Sequence, residues 1–184
     1  MILVDSSVWI SYLNGKNTKE AEFLSRFIGV ENILMTDLIF FEILQGYRDD
    51  AVFNDVKSFL DEFPFAILGS QELALKSAQN YRFLRKKGIT IRKTINSYIA
   101  TFCIEKDIAL LHSDKNYEPF VEHLGLKSIF LRFKLVQFPV DFRRKRHRFS
   151  QIFFAKNGFK KKAKFDGRVV WSNFFQILIL IKKI

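Results

Sequence analysis

Along residues 1–131, short apolar runs alternate with segments of helical periodicity. Ile2-Leu3-Val4, Ile33-Leu34-Met35, Phe65-Ala66-Ile67-Leu68, Ala109-Leu110-Leu111-His112 and Lys127 to Leu131 read as five strands. Unbroken apolar runs of this length suit strands buried on both faces, as a parallel sheet requires. The segments between them read as helices. Ser6 or Ser7 caps one that closes at Asn14-Gly15, and Thr18 to Ile28 carries Ala21, Leu24, Phe27 and Ile28 on one stripe. Thr36 caps a helix bearing Leu38, Phe41, Glu42 and Gln45, and Asp50 to Glu62 is stopped by Pro64. Ser70 opens a long helix ending at Lys86-Lys87-Gly88, Thr94 caps Ile95 to Glu105, and Tyr117 to His123 forms a short helix. Strand–helix alternation predicts an α/β domain with a parallel sheet wrapped by helices. There is no repeat at solenoid period.

Charge divides the chain in two. Residues 1–131 hold 15 Lys+Arg against 17 Asp+Glu, whereas residues 132–184 hold 15 against 2, so the net charge of +11 belongs to the C-terminal segment. That segment also concentrates 10 of the 22 phenylalanines. We expect a domain over 1–131 and a basic, aromatic-rich extension over 132–184. Three accounts of the extension stay open: nucleic-acid contact by charge and stacking, attachment to an anionic membrane surface, or unselected AT-rich coding without native order. Its terminal run from Val169 to Ile181 is interrupted by Ser172, Asn173 and Gln176, so no transmembrane segment is expected.

The lone Cys103 excludes a disulfide framework and fits a reducing compartment, and His112, His123 and His147 lack metal-cluster spacing. The N-terminus lacks the basic region of a signal peptide, which points to the cytoplasm.

Three acids stand out by position. Asp5 and Asp114 follow the first and fourth strands, at the carboxyl ends where open α/β sheets bind ligands. Glu42 lies among Ile39, Phe40, Phe41, Ile43 and Leu44, where a carboxylate is costly to bury unless paired or bound to a cation. Gathered carboxylates repel one another, and a hard cation such as Mg²⁺ or Mn²⁺ reverses that sign. Such an ion lowers the pKa of a bound water and stabilises phosphoryl charge, which suggests phosphodiester hydrolysis. Asp5 or Asp114 alone serves as well as a helix cap or turn former, and Glu42 alone as the edge of an amphipathic helix. A haloacid-dehalogenase-like phosphatase fails because Ser7, not an acid, stands two residues after Asp5, and a dinucleotide-binding fold fails because no G-x-G-x-x-G follows the first strand.

Ile2-Leu3-Val4-Asp5-Ser6-Ser7-Val8-Trp9-Ile10, Phe41-Glu42-Ile43-Leu44-Gln45-Gly46-Tyr47-Arg48 and Leu110-Leu111-His112-Ser113-Asp114 closely resemble, in order and spacing, the motifs of PIN-domain ribonucleases of the VapC toxin type. The resemblance spans about 1–131. It implies a three-layer α/β/α fold, endoribonuclease activity dependent on Mg²⁺ or Mn²⁺, an RNA substrate, neutralisation by a cognate antitoxin, and a homodimer. It places the family's acidic constellation, including the metal ligands, on Asp5, Glu42 and Asp114, with Ser6 or Ser7 auxiliary.

At the fourth catalytic position the family usually has an aspartate, where this chain has Asn96 within Thr94-Ile95-Asn96-Ser97-Tyr98-Ile99-Ala100. Asn116 similarly stands where the family often has an acid. The resemblance therefore implies an attenuated nuclease, or an inactive PIN-fold protein that binds an antitoxin or RNA. Arg85, Lys86, Lys87, Arg92 and Lys93 flank the helix of Asn96 and are candidates for RNA phosphate contact or plain solvated charge. His112 and Cys103 are expected to pack in the core rather than act.

Overall fold

The computed structural model of the chain describes residues 1–129. The extension expected over 132–184, its basic runs and its apolar end lie outside the described residues.

Four strands form one parallel sheet in the order β3-β2-β1-β4: β1 (Ile2–Val4), β2 (Ile33–Thr36), β3 (Phe65–Ala66) and β4 (Ala109–Leu111). Ile2 pairs with Ile33 on one side and Ala109 on the other, and Val4 pairs with Leu111. The chain builds outward from β1 through β2 to β3, then returns to place β4 on the opposite side of β1. Strand order thus reverses between β1 and β4, and their carboxyl ends flank the crevice where such sheets bind ligands.

Seven α-helices are present among the described residues: α1 (Ser6–Leu13), α2 (Lys19–Phe27), α3 (Asp37–Leu44), α4 (Asp50–Leu60), α5 (Gln71–Lys86), α6 (Thr94–Glu105) and α7 (Glu118–Leu124). None is long and apolar enough to cross a membrane. Side-chain caps start α2, α4 and α5, where Thr18, Asp49 and Ser70 accept from Ala21, Val52 and Leu73 N–H. Gly125 ends α7 at φ 75°, a left-handed conformation that glycine adopts without steric cost. The core runs along the inner strands and their helices, with Leu3, Val4, Trp9, Leu24, Met35, Ile39, Phe59, Ile99 and Leu110 all buried.

The structure corrects several local expectations. Asp5, not Ser6 or Ser7, caps α1 through its carboxylate, which accepts from Ser7 N–H at 3.0 Å. Thr36 occupies the cap position of α3 but makes no capping hydrogen bond, and Lys93 rather than Thr94 precedes α6. The third strand stops at Ala66 because Leu68 N–H is taken by the Asp37 carboxylate at 3.0 Å instead of a ladder partner. The fifth strand reduces, within the described residues, to a single bridge between Leu110 and Ser128. Its end at Leu131 lies outside them.

Candidate active site

Asp5 is the first residue past β1, and its N–H donates to Leu111 O of β4 at 2.9 Å. This bond extends the β1–β4 ladder by one step and fixes the Asp5 backbone against the start of the β4 exit loop. The side chain is buried at 4% exposure. Its Oδ2 accepts from Ser7 N–H and from the Ser7 hydroxyl, and its Oδ1 accepts from the Tyr117 hydroxyl at 2.8 Å. Three donors compensate the cost of burying this charge.

Asp114 stands three residues beyond β4. Its Oδ1 accepts from Asn116 N–H at 2.9 Å and Asn116 Nδ2 at 2.8 Å, and its Oδ2 accepts from Asn96 Nδ2 at 3.0 Å. Lys93 Nζ lies 3.7 Å from the same Oδ2. Partial burial raises the Asp114 pKa, but the Asn116 and Asn96 hydrogen bonds and the Lys93 charge outweigh it, and the carboxyl titrates below its ordinary value. Asp5 and Asp114 thus both cap the segments they open, so the bland reading of each acid holds alongside any chemistry.

Glu42, on α3, is half-buried and accepts from the Ser6 hydroxyl at 2.7 Å. Ser6 therefore tethers α3 to the first turn of α1. Ser7 receives a further hydrogen bond from the Ser113 hydroxyl at 2.9 Å. A continuous chain of contacts runs from exposed Ser113 through Ser7 to Asp5 and on to buried Tyr117. Asn96 is 3% exposed on the first turn of α6 and joins the cluster through Asp114.

Of the predicted site residues, Asp5 is linked to Ser7, Glu42 to Ser6, and Asp114 to Asn96 and Asn116. The basic candidates divide. Lys93 faces Asp114, whereas Arg85, Lys86, Lys87 and Arg92 are solvent-exposed at the α5–α6 connection. Lys87 lies over the Phe83 ring at 5.2 Å. His112 is held by Asp114 O at 3.1 Å and packs against Tyr117, and burial lowers its pKa. Cys103 is buried, as expected of a core residue.

Sequence reasoning missed Tyr117 and Ser113. The signal for Tyr117 was an aromatic with a polar tip three residues after a site acid, where the ring packs and the hydroxyl must find a partner.

The donor chemistry suits a hard cation, since Asp5, Glu42, Asp114 and the serines offer only oxygen. The arrangement does not fit one. Among the described residues, no three His, Cys, Asp or Glu side chains gather closely enough to hold a metal ion. The oxygens of Asp5 and Asp114 are turned toward the chain's own donors.

Comparison with known proteins places the fold. The PIN domain family matches residues 2–120. The chain is 25% identical over 134 residues to VapC ribonuclease Mb1587 of Mycobacterium bovis and to ribonuclease VapC11 of Mycobacterium tuberculosis, covering 72% of this chain and 100% of each relative. In structure it is similar to VapBC-1 from nontypeable Haemophilus influenzae, with TM-score 0.51 and 20% identity over 70% of this chain and 96% of that one. A toxin–antitoxin complex from Klebsiella pneumoniae gives TM-score 0.50 and 15% identity over 68% and 95%. These structural likenesses bear on the fold, and they agree with the parallel α/β architecture. The chain belongs to the PIN-domain family, and its likeness is to the VapC-type members.

Proposed function

We propose that the protein is an endoribonuclease acting as the toxin of a toxin–antitoxin pair, hydrolysing RNA phosphodiesters and attenuated by Asn96. The observation that carries this reading is the placement of Asp5 and Asp114 at the strand-order reversal between β1 and β4, with Glu42 tethered to the same turn by Ser6. The full-length match to VapC ribonucleases supports it. The residues assigned to the chemistry are Asp5, Glu42, Asn96 and Asp114, with Ser6 and Asn116 auxiliary. Arg85, Lys86, Lys87, Arg92 and Lys93 would attract the RNA backbone electrostatically.

The reading calls for Mg²⁺ or Mn²⁺, which when bound polarises a phosphoryl oxygen and acidifies water. To receive it, Asp5, Glu42 and Asp114 must exchange some of their present donors. The chain's own residues keep the acids oriented: Ser7 and Tyr117 hold Asp5, Ser6 holds Glu42, and Asn116 holds Asp114. The reading includes a cognate antitoxin, a homodimer, a cytoplasmic setting, and a catalytic domain over 1–131 separate from the extension 132–184.

A second reading has its own support. Asn96 presents its amide N–H, not an oxygen, to Asp114. That contact favours a catalytically inactive PIN-fold protein that binds an antitoxin or RNA. Incubating the full chain with a panel of structured RNAs in Mg²⁺ or Mn²⁺ decides between them. Cleavage that is lost in Asp5→Asn supports the nuclease. Absence of cleavage in the parent, restored by Asn96→Asp, assigns a degenerate toxin. Absence in both, with RNA or antitoxin binding retained, favours the binder.

A further inference from the structure

We propose that Lys93 and Asn96 form a built-in clamp on Asp114 that takes a divalent cation's place, so that metal and clamp compete for one carboxylate oxygen. The inference rests on the preceding reading only in treating Asp114 as a cation ligand.

Lys93 is the extended residue just before α6, and Asn96 lies in the first turn of that helix. The first turn is closed by the Asn96 N–H to Lys93 O bond at 3.1 Å. Both side chains meet Asp114 Oδ2. Asn96 Nδ2 reaches it at 3.0 Å from the buried side, with Asn96 only 3% exposed. Lys93 Nζ stands at 3.7 Å from it on the solvent side, with 63% of its side chain exposed.

A carboxylate at 96 would face Asp114 across hydrogen-bond distance, and two like charges so close are stable only with a cation or a proton between them. An amide reverses that relation. Its N–H is attracted to Asp114, and the pair is satisfied without an ion. Lys93 then supplies a positive charge at the mouth of the crevice. A cation arriving from solvent must displace an ammonium and turn an amide before it reaches Oδ2.

Mn²⁺ binding to the full chain, read by loss of the free-ion paramagnetic resonance signal, tests the clamp without reference to activity. Lys93→Met should tighten Mn²⁺ several-fold at low salt, and the gain should shrink as salt rises, because an exposed ammonium is screened. Asn96→Asp should tighten Mn²⁺ at least about tenfold, or about 1.4 kcal/mol. Its unfolding temperature should fall in EDTA and recover with Mn²⁺. Lys93→Arg should behave as the parent. Should Asn96→Asp fail to fold, Lys93→Met and Lys93→Arg carry the test. Tight Mn²⁺ binding by the parent, equal to that of Asn96→Asp, overturns the proposal, as does a Lys93→Met variant that binds no better than the parent. RNA cleavage is scored separately and on Asn96→Asp alone, because Lys93 is also an RNA-contact candidate: an Asn96→Asp variant that gains Mn²⁺ but cuts no RNA sinks the nuclease reading and leaves the clamp standing.

Discussion

The Tyr117 hydroxyl donates a 2.8 Å hydrogen bond to Asp5 Oδ1 across 112 residues of sequence, and both residues are buried. This bond ties the exit of the first strand to the segment just after Asp114. Burial, and then the nearby Asp5 charge, push the Tyr117 pKa well above its ordinary value, so the phenol remains a donor. Tyr117→Phe keeps the ring and removes the donor, leaving one oxygen of a buried carboxylate short of a partner. The expected cost is about 1–3 kcal/mol. Urea unfolding at neutral pH measures it as a lower midpoint at unchanged slope. An unchanged midpoint would show that Asp5 does not depend on this donor.

Trp9 offers a test of core chemistry. It is fully buried with its ring edge-on to Tyr12, Phe59 and Phe63, and its Nε1 has no hydrogen-bond partner among the described residues. Trp9→Ala should cost about 3–5 kcal/mol through lost burial and a cavity. Trp9→Phe should cost far less than its volume change suggests, because it also removes a buried N–H that nothing satisfies. Thermal unfolding of the two variants gives the ranking. Equal losses would mean that the ring retained in Trp9→Phe recovers none of the packing.

Much of this architecture was legible because its causes are local. Apolar runs at 2–4, 33–35 and 109–111, bounded by polar and turn residues, suit buried strands, and Thr18 and Ser70 stand where helices start. The positions of the candidate acids follow the same logic, since Asp5 comes directly after β1 and Asp114 three residues after β4. What local patterns could not supply was side-chain partnership across the sheet. Tyr117 looked like a helix start, and its use as a donor to Asp5 depends on β4 lying beside β1. The contraction of the third strand also has a non-local cause: Asp37 captures an amide that the pattern gave to the ladder. Lys93 looked like one of five interchangeable cations until α6 set it against Asp114.

Cys103 is expected to be chemically silent. It lies on α6 in the core, and burial, then the Asp5 charge, push its thiol pKa up. Alkylation requires the thiolate. Iodoacetamide at about pH 8 should therefore leave the native protein unlabelled, and labelling should appear only as urea unfolds the chain. Mass spectrometry of the Cys103 peptide across a urea series measures this directly. Fast labelling in native buffer would mean that the α6 core opens locally.

Asp37 joins two elements through one oxygen. Its Oδ1 accepts from Leu38 N–H in the first turn of α3 and from Leu68 N–H beyond β3, both at 3.0 Å. Leu68 is 1% exposed whereas its neighbour Ile67 is 76% exposed, so this bond is what turns one side chain inward as the edge strand ends. Asp37→Ala would orphan a buried amide at Leu68 and cost about 1–3 kcal/mol. Asp37→Asn keeps a carbonyl acceptor but loses the charge that also favours a helix N-terminus, so its cost should be smaller, about 0.5–1 kcal/mol. Amide hydrogen exchange separates this local effect from global loss of stability. In Asp37→Ala the Leu68 amide should exchange far faster than those of Leu3 or Leu34, which lie on the two central strands β1 and β2. Uniform acceleration at all three would show that Asp37 supports the domain as a whole and does not specifically pin the end of the edge strand.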